Sequence, residues 1–67
     1  LERDSMTRAI QNMEIHDREL IILYYYQELS MKEVAQVIGK SENVTIQRMN
    51  RARKRLKKIL MEVGYGT

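Results

Sequence analysis

The sequence predicts an all-α domain of four helices. The chain has no proline and only three glycines, two of them near its end, so little in the composition interrupts a helix. Apolar residues recur at helical spacing in the first, third and fourth predicted segments. The apolar run of residues 20–26 could by itself be a buried strand, but the flanking helices and the lack of a second strand to pair with it favour helix. The length of 67 residues suffices for one small domain, and a core of this size is only marginally stable.

Composition excludes several classes of protein. The chain has no cysteine, so disulfides and thiolate metal sites are ruled out and a reducing compartment is permitted. No apolar run approaches membrane-spanning length and no signal sequence is visible, so no membrane partner is expected. The start at Leu1 indicates a piece of a longer chain.

The first two predicted helices each have polar residues at the N-terminal end. The first spans residues 4–13, with Asp4 or Ser5 as its N-cap. The second spans about residues 16–28, and Asp17 places negative charge in its first turn, where the helix dipole favours it.

The third and fourth helices are predicted from capping signals. Ser30 and Glu33 form a capping box at the start of the third helix. Gly39 ends that helix, since glycine adopts the left-handed C-cap conformation at least cost. After a very short turn, Ser41 caps a fourth helix over residues 42–61. The residues expected to face the core are Val34, Ala35, Val37 and Ile38 on the third helix and Thr45, Met49, Ala52, Leu56, Ile59 and Leu60 on the fourth.

A helix, a short turn containing glycine and a second helix form a helix-turn-helix, predicted here over about residues 30–50. The arrangement is like that of a winged helix, without a wing. Its second helix lays its first turns in the major groove, where carboxylate and carboxamide side chains read base edges. The predicted base-reading residues are Glu42, Asn43, Ile46, Gln47 and Asn50.

The charge distribution indicates a polyanionic partner. The net charge is +3, but residues 1–47 carry five basic and eight acidic side chains, whereas residues 48–67 carry seven basic and one acidic. All seven of those basic residues lie between Arg48 and Lys58. Such a concentration favours nucleic acid as the partner, with basic side chains on phosphates.

A family resemblance covers residues 15–60 without a gap. It rests on Asp17-Arg18-Glu19, Leu20, Leu23, Glu28-Leu29-Ser30, Lys32-Glu33-Val34-Ala35, Ile38-Gly39-Lys40-Ser41 and Arg48-Met49-Asn50-Arg51-Ala52-Arg53-Lys54-Arg55-Leu56. These segments resemble the C-terminal domain, or region 4, of bacterial sigma factors. The Arg-x-x-Arg-Ala-Arg-x-x-Leu ending is most similar to the small alternative and extracytoplasmic-function type.

The resemblance implies a cytoplasmic transcription factor that is not an enzyme. In that family the domain binds the minus-35 promoter element and docks on the β-subunit flap of RNA polymerase, and anti-sigma factors often cover the same surfaces. Promoter DNA, the polymerase core and an anti-sigma factor are thus the implied partners. Family base-reading positions fall on Glu42, Asn43, Ile46 and Gln47. The implied backbone-contacting residues are Ser30, Lys32, Lys40, Ser41, Arg48, Arg51, Arg53, Lys54 and Lys57.

Residues 44–47 stand where the family usually has Thr-Val-Lys-Ser, and Tyr24 also departs from the family pattern. Thr45 stands where an apolar core residue is usual, and Tyr24 where arginine or lysine is common. Ile46 stands where a lysine would face DNA, and its apolar side chain can contact a thymine methyl or a partner protein. Of the consecutive tyrosines 24–26, one or two are expected in the core.

Two other binding functions remain as alternatives. One is a LuxR-type regulator domain, although Arg48 and the Arg51-Ala52-Arg53 run fit the sigma pattern better. The other is a module that holds polymerase or an anti-sigma protein without touching DNA. No cofactor, metal or catalysis is expected, because no clustered ligands occur and neither Ser30 nor Ser41 has a base beside it.

Overall fold

The computed structural model describes residues 3–62, and within that range it contains helices and no strand. Helix α1 spans Arg3–Gln11, α2 spans Ile15–Ile21, α3 spans Met31–Ile38 and α4 spans Glu42–Glu62. The predicted all-α fold with a C-terminal helix-turn-helix is confirmed. No helix in this part of the chain is long and apolar enough to cross a membrane. The sequence also predicts a short tail over residues 62–67, which lies outside the described residues except for Glu62, the last residue of α4.

The core is built around α4, which packs against α1, α2 and α3. The apolar stripe predicted for α4 is confirmed, since four of its residues are buried and the last two pack half-buried against the core. On α3 the expectation for Val37 is wrong, because that side chain is 58% exposed. The buried core cluster consists of Ala9, Ile10, Met13, Leu20, Ile21, Val34, Met49, Ala52 and Leu56.

The start of α1 differs from the prediction. This helix begins at Arg3, so Asp4 and Ser5 lie inside it and neither is its N-cap. Its other end is closed by a side chain from the next helix. The Arg18 guanidinium donates hydrogen bonds to the carbonyl oxygens of Gln11 (3.2 Å) and Met13 (3.1 Å), which satisfies carbonyls that have no partner within the helix.

Helix α2 begins earlier than predicted because Glu14 is its N-cap. The Glu14 carboxylate accepts hydrogen bonds from the backbone N–H groups of His16 (3.0 Å) and Asp17 (3.3 Å). It also bonds the His16 ring Nδ1 at 2.7 Å. The bond to the His16 side chain is the main cause that lowers the pKa of Glu14 below the ordinary value of 4.5.

The second helix ends in a π-helical turn that the sequence did not predict. Residues Ile22–Tyr26 adopt this form, and the Gln27 N–H donates to the Ile22 carbonyl oxygen five residues back, at 3.0 Å. The turn leaves Tyr24 half-buried and the two tyrosines that follow it exposed. Tyr24 packs against the core cluster, in agreement with the expectation of one or two tyrosines there.

The capping signals around α3 are confirmed. The Ser30 N–H donates to the Glu33 carboxylate (2.8 Å), and the Glu33 N–H donates to the Ser30 hydroxyl (3.1 Å). These bonds favour the ionised carboxylate, so the pKa of Glu33 lies below the ordinary value of 4.5. At the other end Gly39 adopts the left-handed conformation (φ 71°), and the Lys40 N–H bonds the Ala35 carbonyl oxygen at 3.0 Å.

Candidate nucleic-acid interface

The first turn of α4 is fixed by Ser41. Its hydroxyl accepts a hydrogen bond from the Val44 N–H (3.2 Å), which confirms Ser41 as a cap. Its carbonyl oxygen accepts from the Thr45 hydroxyl (2.8 Å). Thr45 is fully buried, so this bond satisfies a polar group at a core position. The turn therefore sets which side of α4 faces the core.

The side of α4 opposite the core carries a continuous exposed stripe. Its members follow one another at intervals of three or four residues, the spacing that keeps side chains on one helix face. Thr45 and Met49, on the other side, have no exposed surface. We call this surface the α4 stripe; its residues are Asn43, Gln47, Asn50, Lys54 and Lys57, all exposed.

The structure brings the five predicted base-reading residues together on the first three turns of α4. Three of them belong to the α4 stripe. Glu42 lies in the first turn, and Ile46 lies beside the stripe with 38% of its surface exposed. All five are open to solvent, as side chains must be if they are to reach the edges of bases.

The predicted backbone-contacting residues fall into separate groups. Ser30 and Ser41 serve as helix caps and remain exposed, as do Lys32 on α3 and Lys40 in the turn. Lys54 and Lys57 extend the α4 stripe towards the end of the helix. Arg48 and Arg51 are exposed and line a shallow groove against the start of α2, together with Glu14, His16, Asp17, Leu20 and Arg55.

Arg53 is held against the π-helical turn. Its guanidinium carbon lies 5.2 Å from the ring centroid of Tyr24 and 5.7 Å from that of Tyr25. The two rings meet edge to face with centroids 5.0 Å apart. Cations over aromatic faces at such distances are attracted electrostatically. Arg53 lies at the edge of the α4 stripe, but it is half-buried and its guanidinium is held at the tyrosines instead of standing free.

An ion pair with a buried carboxylate joins α2 to α4, and the sequence did not predict it. Asp17 is 7% exposed, and its carboxylate accepts a hydrogen bond of 2.8 Å from the Arg55 guanidinium. That bond, and then the Asp17 charge, raises the pKa of Arg55 above its usual range. From the sequence, Asp17 is interpreted only as a negative charge at the start of a helix. Its pairing with Arg55 could not be predicted, because the two residues are 38 positions apart in the chain.

Breaking this pair from its two sides should have unequal effects. An Arg55→Ala variant leaves the buried Asp17 carboxylate without a partner, which is the costly arrangement. An Asp17→Asn variant leaves Arg55, whose side chain is 57% exposed and can be hydrated. We expect Arg55→Ala to lower the midpoint of urea denaturation further than Asp17→Asn. Equal losses, or the reverse order, would contradict the assignment of Asp17 as the buried partner.

Residues 3–62 contain no group of three or more histidine, cysteine, aspartate or glutamate side chains able to hold a metal ion. The histidine in this range, His16, lies exposed at the start of α2 and bonds the Glu14 carboxylate. The hydrogen bond between His16 and Glu14 is part of the N-cap of α2, so both side chains have a structural role.

Together the turn at Gly39, the capped α4 and its exposed stripe define a helix-turn-helix domain of the DNA-binding class. The family Sigma-70, region 4 matches residues 3–56, and the chain belongs to that family. Its members are DNA-binding transcription domains, not enzymes, that interact with promoter DNA and RNA polymerase as parts of sigma factors. The match confirms the family resemblance over residues 15–56 of the predicted 15–60, and it favours that family over a LuxR-type domain. No significant match was found among curated proteins or among solved structures.

Proposed function

We propose that this chain binds the minus-35 element of promoters as the C-terminal domain of a sigma factor and so directs transcription initiation. The observation that carries the proposal is the division of α4 into a buried side and an exposed side. Residues suited to bases and phosphates occupy the exposed side, whereas Thr45 and Met49 are in the core. Membership of the Sigma-70, region 4 family supports the same function.

In the proposed complex the first turns of α4 lie in the major groove. The carboxamides of Asn43, Gln47 and Asn50 can pair with adenine, and Glu42 can accept from cytosine N4. Phosphate contacts fix the register without reading sequence. We assign them to Ser30, Lys32, Lys40, Ser41, Arg48, Arg51, Lys54 and Lys57, and omit Arg53 because it packs on two tyrosines.

A Gln47→Ala variant tests base reading. It should lose about 1 to 3 kcal/mol of discrimination at one or two adjacent base pairs, since a side chain that pairs with a base edge contributes about that much. Nonspecific affinity should remain nearly intact. Binding is measured by fluorescence anisotropy over duplexes with a randomised minus-35 element. The matched control is Gln11→Ala, an exposed glutamine of α1. An equal loss of affinity on every sequence for Gln47→Ala would contradict the proposed role.

We also propose that the domain docks on RNA polymerase through a groove between α1 and the π-helical turn. The groove is partly apolar, and Tyr26 at its edge is 52% exposed. Exposed tyrosines supply large contact area in protein interfaces. Its lining residues are Thr7, Ile10, Gln11, Arg18, Ile22, Tyr26 and Gln27. We assign this groove to the flap of the polymerase β subunit. An anti-sigma factor would compete for the same groove. Because the proposed partner is RNA polymerase, we place the function in the cytoplasm.

The docking surface predicts separable variants. Tyr26→Ser should weaken binding of the chain to immobilised RNA polymerase core, because it removes an exposed aromatic contact. It should leave the affinity for DNA and its salt dependence unchanged, since Tyr26 is not on α4. Tyr25→Ser, which removes a similarly exposed tyrosine (46%) that does not line the groove, is the matched control. If both variants bind the core as the unaltered chain does, polymerase docks elsewhere.

A further inference from the structure

We propose that Ile46 contacts the 5-methyl group of a thymine, and that Ile46 and the carboxamides of Asn43 and Gln47 beside it read A·T base pairs. The inference rests on the proposed DNA-binding function and adds to it the class of base pair that is read. Its observations are the position of one apolar side chain and the chemistry of its neighbours.

Ile46 lies on the side of α4 that is free of the core. It is three residues after Asn43 and four before Asn50, so it shares a helix side with both. Its surface is 38% exposed, whereas the core residues Thr45 and Met49 have none. A branched apolar group is therefore presented beside the carboxamides of the α4 stripe.

The neighbouring carboxamides select the same kind of base pair. Asparagine and glutamine pair with adenine N6 and N7, and the thymine methyl is the apolar group that unmodified base pairs present in the major groove. Guanine is read mainly by arginine or lysine, and residues 42–47 contain neither. The next basic residue, Arg48, lines the groove beside His16 at the start of α2. Amide and apolar groups on one face thus complement both strands of an A·T pair.

Replacing thymine by deoxyuridine tests the contact, because it removes the methyl group and keeps base pairing. The duplex is the preferred element selected by the chain from the randomised library, at low salt. The unaltered chain should lose about fourfold in affinity when one particular thymine is replaced, as expected for uncovering one methyl-sized group. Ile46→Ala should bind the thymine and deoxyuridine duplexes equally.

Val44→Ala is the matched control. Val44 is also branched and apolar and is 37% exposed, but it lies two residues earlier and so points to a different side of the helix. This variant should keep the full loss on deoxyuridine. Thermal unfolding followed by circular dichroism should show both variants folded, because each removes an exposed side chain.

The outcomes separate the inference from the proposed function. If the chain selects no sequence from the library, the proposed function fails and the inference fails with it. The inference alone is overturned in any of three cases: the selected element lacks thymine, no single deoxyuridine weakens binding, or Ile46→Ala retains the loss. In the last case a residue other than Ile46 contacts the thymine methyl.

Discussion

A Met49→Ala variant should lose roughly 2 to 5 kcal/mol of unfolding free energy, a large part of what a domain of this size can have. Met49 has no exposed surface and is among the largest fully buried side chains of the structure. It belongs to α4, the helix against which the other three pack. Its truncation leaves a cavity that local repacking in so small a core fills poorly.

The measurement is urea denaturation monitored by circular dichroism at 222 nm, where the signal reports the helix content. The neighbouring residue Asn50 gives the matched control, since it is exposed and lies on the α4 stripe. Asn50→Ala should change stability by no more than about 0.5 kcal/mol, as surface substitutions usually do. Similar losses for both variants would mean that the assignment of buried and exposed sides of α4 is wrong. The base-reading role proposed for the α4 stripe would then be wrong as well.

The helix-turn-helix could be predicted because its signals are local. Ser30 and Glu33 close each other's backbone groups three residues apart, and Gly39 and Ser41 end one helix and begin the next. Such caps need no knowledge of distant parts of the chain. The buried side of α4 could also be predicted, since 3.6 residues per turn fixes which side chains share a face.

What the sequence did not predict depends on contacts between helices. The Asp17 carboxylate pairs with Arg55, and Arg53 lies over Tyr24 instead of standing free on the helix surface. The basic run looked uniform in sequence, but its arginines differ in their partners once α4 packs on α2 and the π-helical turn. Arg18 likewise closes the end of α1 from another helix. Charge alone does not distinguish a cation free for phosphate from one that holds the fold.

Replacing Lys54 and Lys57 should weaken the salt dependence of DNA binding. Both are exposed on the α4 stripe, in line with the proposed base-reading residues. If each neutralises one phosphate, the double variant Lys54→Ala/Lys57→Ala should reduce the slope of log affinity against log salt by about 1.8, since each contact contributes about 0.9. Affinity should fall alike on all sequences, because phosphate contacts carry no sequence information.

Two single variants test whether the change in salt slope depends on where the removed charge lies. Arg8→Ala removes one positive charge from α1, which packs on the core side of α4. This variant should leave the slope unchanged. Arg53→Ala removes a cation from α4 itself, but one held against Tyr24 and Tyr25. It should lower stability and keep the slope. If Arg53→Ala flattened the salt dependence as much as Lys54→Ala, the tyrosine contacts would have to open on DNA, and α4 would bind phosphates on a wider face than its exposed stripe.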